Sequence, residues 1–229
     1  MLRTERSPFD HGSGPGPQSA DGCSVEVYLR VPYFGEVELL KPWLPGVEVL
    51  ELGCAVGRLT KHLLEHGYRV TAVDNSPQML AHVPAAATRV LANIEDLALD
   101  ARFDAVLLAS NFINVPSAAL RSAFLATCFK HLRVGGRLVL ERYDPAWPAS
   151  ATPGPLSNLG DVEMHLDRIE RRGDDVEMSL RYRVGEEEWW HHSLATPLDD
   201  EQIAACLAEA GFDAPCWIDR CWASAAKTA

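Results

Sequence analysis

From residue 46 onward, short apolar runs alternate with amphipathic stretches. VEVLEL reads as a buried strand, and GRLTKHLLEHG as a helix ending at Gly67. YRVTAVD is a second strand. SPQMLAHV follows as a helix, with Ser76 at its N-cap and Pro77 in its first turn, where a missing N–H leaves no bond unmade. TRVLA and FDAVLLAS are third and fourth strands. SAALRSAFLATCFKHL is a long helix stopped by VGG, and GRLVLERYD is a fifth strand. Strands alternating with helices at this spacing predict a parallel sheet covered on both faces, and the apolar strand centres agree. The expected fold class is therefore α/β, a Rossmann-like, doubly wound, mainly parallel sheet.

The pattern changes after Asp144. PAWPASATPGP is a proline-rich loop. DVEMHLDRIERR, DDVEMSLRYRV and EEEWWHHSLAT then alternate roughly with period two, with turns at Gly173 and Gly185, and predict antiparallel strands. EEE at 186–188 reads as a solvated edge that discourages further pairing. A helix, LDDEQIAACLAEAG, and a last strand, FDAPCWIDRCW, complete the chain. The tail after Gly211 is short for a closing hairpin, so a homodimer is one way to cover the sheet edge.

At the other end, SPFDHGSGPGPQSADG is too rich in Gly, Pro and Ser to pack a core. The expected organisation is a flexible leader over 1–22 and a cap with one short helix over 23–45. A single domain over 46–229 follows, with a β insertion at 145–198.

Hydrophobic residues make up 47% and charged residues 23%, which suits a globular chain. The net charge of -11 argues against nucleic acid as a partner, because phosphate binding needs a basic face. No apolar stretch approaches a membrane span and no apolar block opens the chain, so the expectation is a cytoplasmic protein without a membrane partner. Cys23, Cys54, Cys128, Cys206, Cys216 and Cys221 form no C-x-x-C pair, and no metal site is expected.

The chemistry concentrates in VLELGCAVGRL, residues 49–59. Where a buried strand turns into a helix, backbone N–H groups are free, and glycine lets a ligand approach them. A plain tight turn would explain the glycines alone. Asp74, about twenty residues on at the end of the next strand, sits where a carboxylate accepts hydrogen bonds from a ribose diol. The loop is E-x-G-x-x-x-G rather than G-x-G-x-x-G, which ranks a nicotinamide dinucleotide last.

Over residues 46–144 the chain resembles the class I S-adenosylmethionine-dependent methyltransferases of the small-molecule type. The resemblance rests on VLELGCAVGRLTKHLLEHGYRVTAVDNSPQML, ANIEDL, FDAVLLAS and HLRVGGRLVLE, in that order. It implies S-adenosyl-L-methionine as cofactor, with Gly53 and Gly57 flanking its methionine part, Glu51 orienting the loop and Asp74 holding the ribose. It places Asn75 and Met79 near the adenine, Asn93 and Ile94 at the adenine edge, and Ser110 and Asn111 where the methionyl amine meets the acceptor. Two positions depart from the pattern. Ala55 stands where the family usually has glycine, a methyl group the loop accepts if φ stays negative. Asn93 stands where aspartate is common, and its amide can still both accept and donate.

Methyl transfer is an in-line displacement, so positioning and desolvation can lower much of its barrier, and a base is needed only for a protonated acceptor. Candidates for the reacting centre are Asn111, Tyr143, Tyr28 and Tyr33. Asn114, Arg142, Trp147 and the pairs Trp189–Trp190 and His191–His192 are further candidates. In each pair the two residues must point to opposite faces of a strand. The expected function is methyl transfer to a small-molecule acceptor, in specialised metabolism. Two alternatives stand beside it. One is cyclisation of the cofactor to azetidine-2-carboxylate with release of methylthioadenosine. The other is a non-catalytic cofactor- or partner-binding module.

Overall fold

The computed structural model describes residues 10–228. In chain order, β1 (His11–Ser13) leads into two short helices, α1 (Val25–Arg30) and α2 (Glu36–Leu40), closed by a 3-10 turn at Lys41–Trp43. The alternating region supplies β2 (Glu48–Leu52), α3 (Arg58–Glu65), β3 (Arg69–Asp74), α4 (Pro77–Leu80), β4 (Thr88–Leu91), β5 (Phe103–Leu108), α5 (Ala118–His131) and β6 (Leu132–Glu141). Then come α6 (Trp147–Ser150), β7 (Gly154–Pro155) and three long strands, β8 (Glu163–Arg172), β9 (Asp175–Val184) and β10 (Glu187–Ala195). The chain ends with α7 (Asp200–Glu209), β11 (Cys216–Trp217) and β12 (Trp222–Ala226).

Seven strands form one sheet in the order β11-β12-β6-β5-β2-β3-β4, parallel from β6 to β4 and antiparallel at the β12 and β11 edge. Alternate residues of each strand face opposite sides. Leu50, Leu52, Val106, Leu108, Leu138 and Leu140 pack under α5 and α7 against Phe124 and Ile203. Val49, Val70, Leu107 and Val139 pack under α2 and α3 against Leu40 and Leu63. Both faces are thus dry, as the apolar strand centres require. Ser76 caps α4 through its hydroxyl, which accepts from the Met79 N–H at 3.3 Å. The Asp199 side chain and Gln202 cap α7 reciprocally.

The second sheet is antiparallel, in the order β1-β10-β9-β8-β7. Its inner face carries Leu166, Val176, Met178 and Ala195, against Tyr143 and Trp147 from the end of the first sheet. Buried Asn114 braces the two sheets. Its amide nitrogen donates to the Thr196 carbonyl at 2.9 Å, and its side-chain oxygen accepts from the Tyr143 N–H at 2.9 Å.

Three expectations change. The leader expected over 1–22 is a strap from Asp10 onward: β1 pairs with β10, and the Trp189 indole donates to the Pro15 carbonyl at 2.7 Å. The first nine residues of that leader lie outside the described residues. Composition missed the strap because its stability comes from a partner strand far along the chain. The EEE stretch at 186–188 stays outside the strap: β1 reaches only Trp190–His192 of β10, Glu186 and Glu187 are exposed, and Glu188 pairs with Arg181. The cap holds two helices rather than one, because Pro32 and Gly35 interrupt it. The short tail does close the first sheet, with β11 and β12 making the hairpin in only eleven residues between Cys216 and Ala226. Among the described residues no helix is long and apolar enough to cross a membrane.

The strap crosses itself at two glycines. Gly22 has φ +88, and a Cβ there would lie 2.1 Å from the Gly12 nitrogen. Gly22→Ala is therefore expected to cost about 1–3 kcal/mol in urea unfolding, as overpacking does. Hydrogen exchange should show faster amides in His11–Ser13 while β2 and β5 stay protected.

Candidate active site

The loop after β2 is built from backbone bonds to β3. The Gly53 and Cys54 N–H groups both donate to the Val73 carbonyl, at 2.8 and 2.9 Å. The Ala55 N–H donates to Asp74 Oδ2 at 2.9 Å, and the Ser76 N–H to Oδ1 at 2.9 Å. One carboxylate therefore ties the glycine loop to the cap of α4. Burial raises the Asp74 carboxyl above its usual range, the two N–H bonds oppose the rise, and Asp21 adds to it. Gly53 and Gly57 have φ +70 and +82, and Ala55 has φ +49. The expectation of a negative φ at Ala55 is corrected here: the turn needs the left-handed region, and alanine is held in it.

Gly53 is constrained by packing as well as by access. A Cβ there would come within 2.1 Å of the Phe112 ring. Glu51 is buried at 2% exposure, and Thr60 donates to it at 2.5 Å. Burial pushes the Glu51 carboxyl up to about 7, partly offset by the Thr60 bond and the Arg58 charge. Asn75 Nδ2 donates to Asn93 Oδ1 at 3.2 Å, and Asn93 Nδ2 to Asp96 at 3.1 Å, so both amides stand together beyond β3 and β4. Met79 is buried beside Ala55. Ile94 is buried in the core with Leu97, which leaves its backbone, not its side chain, for an edge contact.

At the end of β5, Ser110 and Asn111 take φ +56 and +58. The Ser110 N–H donates to Glu141 Oε2 at 2.7 Å. Over the glycine loop lies the cap. Tyr28 and Cys23 pack with Val25, Val56, Met79 and Ala55, and the Tyr28 hydroxyl donates to Cys23 Sγ at 3.4 Å. Tyr182, Trp189 and His191 from the inner face of the second sheet close on Tyr28 and Cys23. His191 Nε2 lies 3.2 Å from the Asp21 carbonyl and 3.9 Å from Cys23 Sγ. Trp190 and His192 take the other face, His192 stacking on His11 at 4.5 Å. Tyr143 stacks on Trp147 at 5.9 Å, and burial pushes its phenol up to about 12.

The structure therefore gathers Glu51, Gly53, Ala55, Gly57, Asp74, Asn75, Asn93, Met79 and Tyr28 around the loop, and sets Ser110, Asn111 and Tyr143 at the neighbouring strand ends. Tyr33 stands apart from them. Its hydroxyl accepts from the Val37 N–H at 2.8 Å and donates to Glu38, while its ring stacks on His62 at 3.6 Å, so it is committed to the cap. Arg142 is also committed. It donates to the Leu198 and Arg220 carbonyls, pairs with Asp200 at 2.6 Å and lies 4.0 Å over Trp217.

Residues 49–136 match the family model described as a methyltransferase domain. That region of the chain is similar to methyltransferase domains. Among curated proteins it is 32% identical over 130 residues to a ubiquinone biosynthesis O-methyltransferase of Xanthomonas campestris pv. campestris (strain B100), covering 53% of each chain. It is 34% identical over 143 residues to the cypemycin N-terminal methyltransferase of a Streptomyces species, covering 57% of this chain and 58% of that protein. The chain thus spans about half the length of the curated relatives it matches. Among solved structures, the sugar N-methyltransferase KedS8 from Streptoalloteichus sp ATCC 53650 aligns over 95% of this chain and 98% of its own, with TM-score 0.72 and 22% identity. The CcbJ methyltransferase from Streptomyces caelestis aligns with TM-score 0.74 and 17% identity, over 86% and 91%. At these identities the two structures speak for the fold.

Around the loop, three contacts went unread in the sequence. Thr60 on Glu51 joins a helix residue to a strand residue, Phe112 on Gly53 joins two strand ends, and Glu141 on Ser110 joins two neighbouring strand ends. Glu141 does end the apolar run LVLE, which marks a polar group at a strand's carboxyl end.

Ala55→Gly is expected to raise stability by roughly 0.5–1 kcal/mol in urea, the left-handed penalty outweighing glycine's greater freedom when unfolded. For Glu51 the sign follows from a folded pKa of about 7 against about 4.3 unfolded. The folded state holds the extra proton between those values, so this group lowers stability as pH rises from about 4 to 7, and no further above that. Glu51→Gln should match wild type near pH 4 and exceed it by roughly 3–4 kcal/mol at pH 8. A gain of equal size at both pH values would refute the assignment.

Proposed function

We propose that the protein transfers a methyl group from S-adenosylmethionine to a small-molecule acceptor. The observation that carries this reading is the Asp74 carboxylate, bound through one oxygen to the glycine loop and placed at the end of β3. Each of its oxygens keeps a lone pair beyond the backbone bond it accepts, which suits a ribose diol. The Asn75 and Asn93 amides beside it offer donors and acceptors for the adenine, with Met79 as an apolar wall. The left-handed backbone at Gly53, Ala55 and Gly57 turns the loop's peptide groups to the strand ends, near Ser110 and Asn111. The bound cofactor would supply a methyl group on a sulfonium whose leaving thioether is neutral.

The acceptor side falls to Tyr28 and Tyr143, with Asn111 at the strand end. Tyr28 lies under the inner face of the second sheet and Tyr143 packs against it, a covered setting that favours a small acceptor over a folded macromolecule. The relatives, a ubiquinone biosynthesis O-methyltransferase and a sugar N-methyltransferase, support the same class. A closed site serves the reaction by excluding water and aligning the acceptor with the methyl group.

The test incubates purified protein with S-adenosylmethionine, alone and with candidate amines, phenols and sugars, and reads the products by mass spectrometry. The expected outcome is an intact cofactor without acceptor and S-adenosylhomocysteine with one. Methylthioadenosine and a cyclic imino acid without acceptor would transfer the reading to cyclisation. Asp74→Asn should weaken cofactor binding by about tenfold or more, the size of a hydrogen bond to a charged group. Unchanged affinity would remove Asp74 from the site.

A further inference from the structure

The strap is fastened at its outer end by two imidazoles. β1 has three residues, and its register sets His11 opposite His192, Gly12 opposite His191 and Ser13 opposite Trp190. Partners in register share a face, so His11 and His192 lie together on the outer face of the second sheet. Their rings stack at 4.5 Å and 19°. From there the strap turns inward through the Gly12–Gly22 crossing, and Cys23 at its end packs with Ala55, Val56 and Met79 of the loop platform. The outer fastening and the cover over the loop are thus two ends of one segment.

Two charged imidazoles in such a stack repel each other. The groups around them do little to absorb a positive charge. Arg168 of β8 and Arg181 of β9 stand on the same face, Arg181 between Asp167 and Glu188. Glu177 of β9 is already paired with Arg168 at 3.4 Å and Arg172 at 3.0 Å. The Ser179 hydroxyl meets His192 Nδ1 as a neutral partner. Asp10 Oδ1 accepts from the Leu194 N–H at 3.1 Å, and His191, next in β10, lies against the Asp21 carbonyl at 3.2 Å.

We propose that the strap is a pH-operated cover: protonation of the stacked His11–His192 pair releases β1 from β10 and uncovers the segment above the glycine loop. Burial holds the His192 imidazole below its ordinary value, with His11, His191 and Arg168 adding and Glu177 opposing. Release restores the ordinary value of about 6.5, so opening takes up a proton. Closure is therefore at full strength above about pH 6.5 and weakens as pH falls below it. Glu51 acts in the opposite direction on the first sheet, so the two effects differ in where protection changes. The device works whichever cofactor and acceptor the site holds.

The experiment follows hydrogen exchange of the full chain at about pH 7.5 and about pH 5.5, each amide corrected for its intrinsic rate. Wild type should lose about tenfold protection across residues 11–23 at the lower pH, while β2 and β5 keep theirs. His192→Phe keeps a ring for the stack and takes no proton, so its strap protection should agree at the two pH values within about twofold. His11→Gln removes one of the two charges and should lose about threefold or less. Strap protection in wild type that does not change with pH would overturn the inference. Loss spread equally over β2 and β5 would mark general acid unfolding and overturn it too. The full wild-type loss persisting in His192→Phe would assign it to another group. If both variants lack strap protection already at about pH 7.5, the stack is a brace and not a switch, and the inference falls.

Discussion

Two backbone N–H groups from different segments converge on the Asp74 carboxylate, and the site is arranged around that convergence. The Ala55 bond pulls the loop after β2 onto the end of β3. The Ser76 bond starts the next helix from the same atom group. With the loop fixed, Ala55 and Val56 present a platform on which Met79, Cys23 and Tyr28 pack. A carboxylate accepting backbone bonds is a stronger clamp than a neutral side chain, and it holds alanine in a conformation glycine would adopt without strain.

The second layer of the site comes from far along the chain. The strap threads from β10 across the Gly12–Gly22 crossing to α1, so the residues above the loop are positioned by the antiparallel sheet as much as by the Rossmann-like one. Asn114 performs the same coupling from below, joining β6 to the segment after β10. Residues from three separate stretches of sequence, around Cys23 and Tyr28, Tyr182, and Trp189 and His191, thus meet above the loop.

Most of the first sheet was legible because each strand carries its own signal. VEVLEL, YRVTAVD and FDAVLLAS are short, mainly apolar runs, and Ser76–Pro77 marks a helix start by local chemistry. The loop and Asp74 were legible through spacing. What stayed hidden depends on distant partners. HGS has no strand character until β10 lies beside it, and CW becomes a strand only against β12. The backbone of Ala55 was misjudged because a single residue type does not report its φ when a neighbouring carboxylate enforces it. Tyr33 looked like a site residue because aromatics serve cap and pocket alike, and only the His62 stack and the Val37 bond separate the two uses.

The pairing of His11 with His192 also orders the way the chain reaches its native state. During synthesis the strap emerges before β10 and has no partner until β10 has left the ribosome. The parallel strands β2 to β6 can meanwhile assemble from nearer contacts, since loop closure is cheaper at short separation. The platform at Ala55 and Met79 therefore forms before the segment that covers it. The open domain is the predecessor of the closed one, and the last step of folding is the same event that roofs the site.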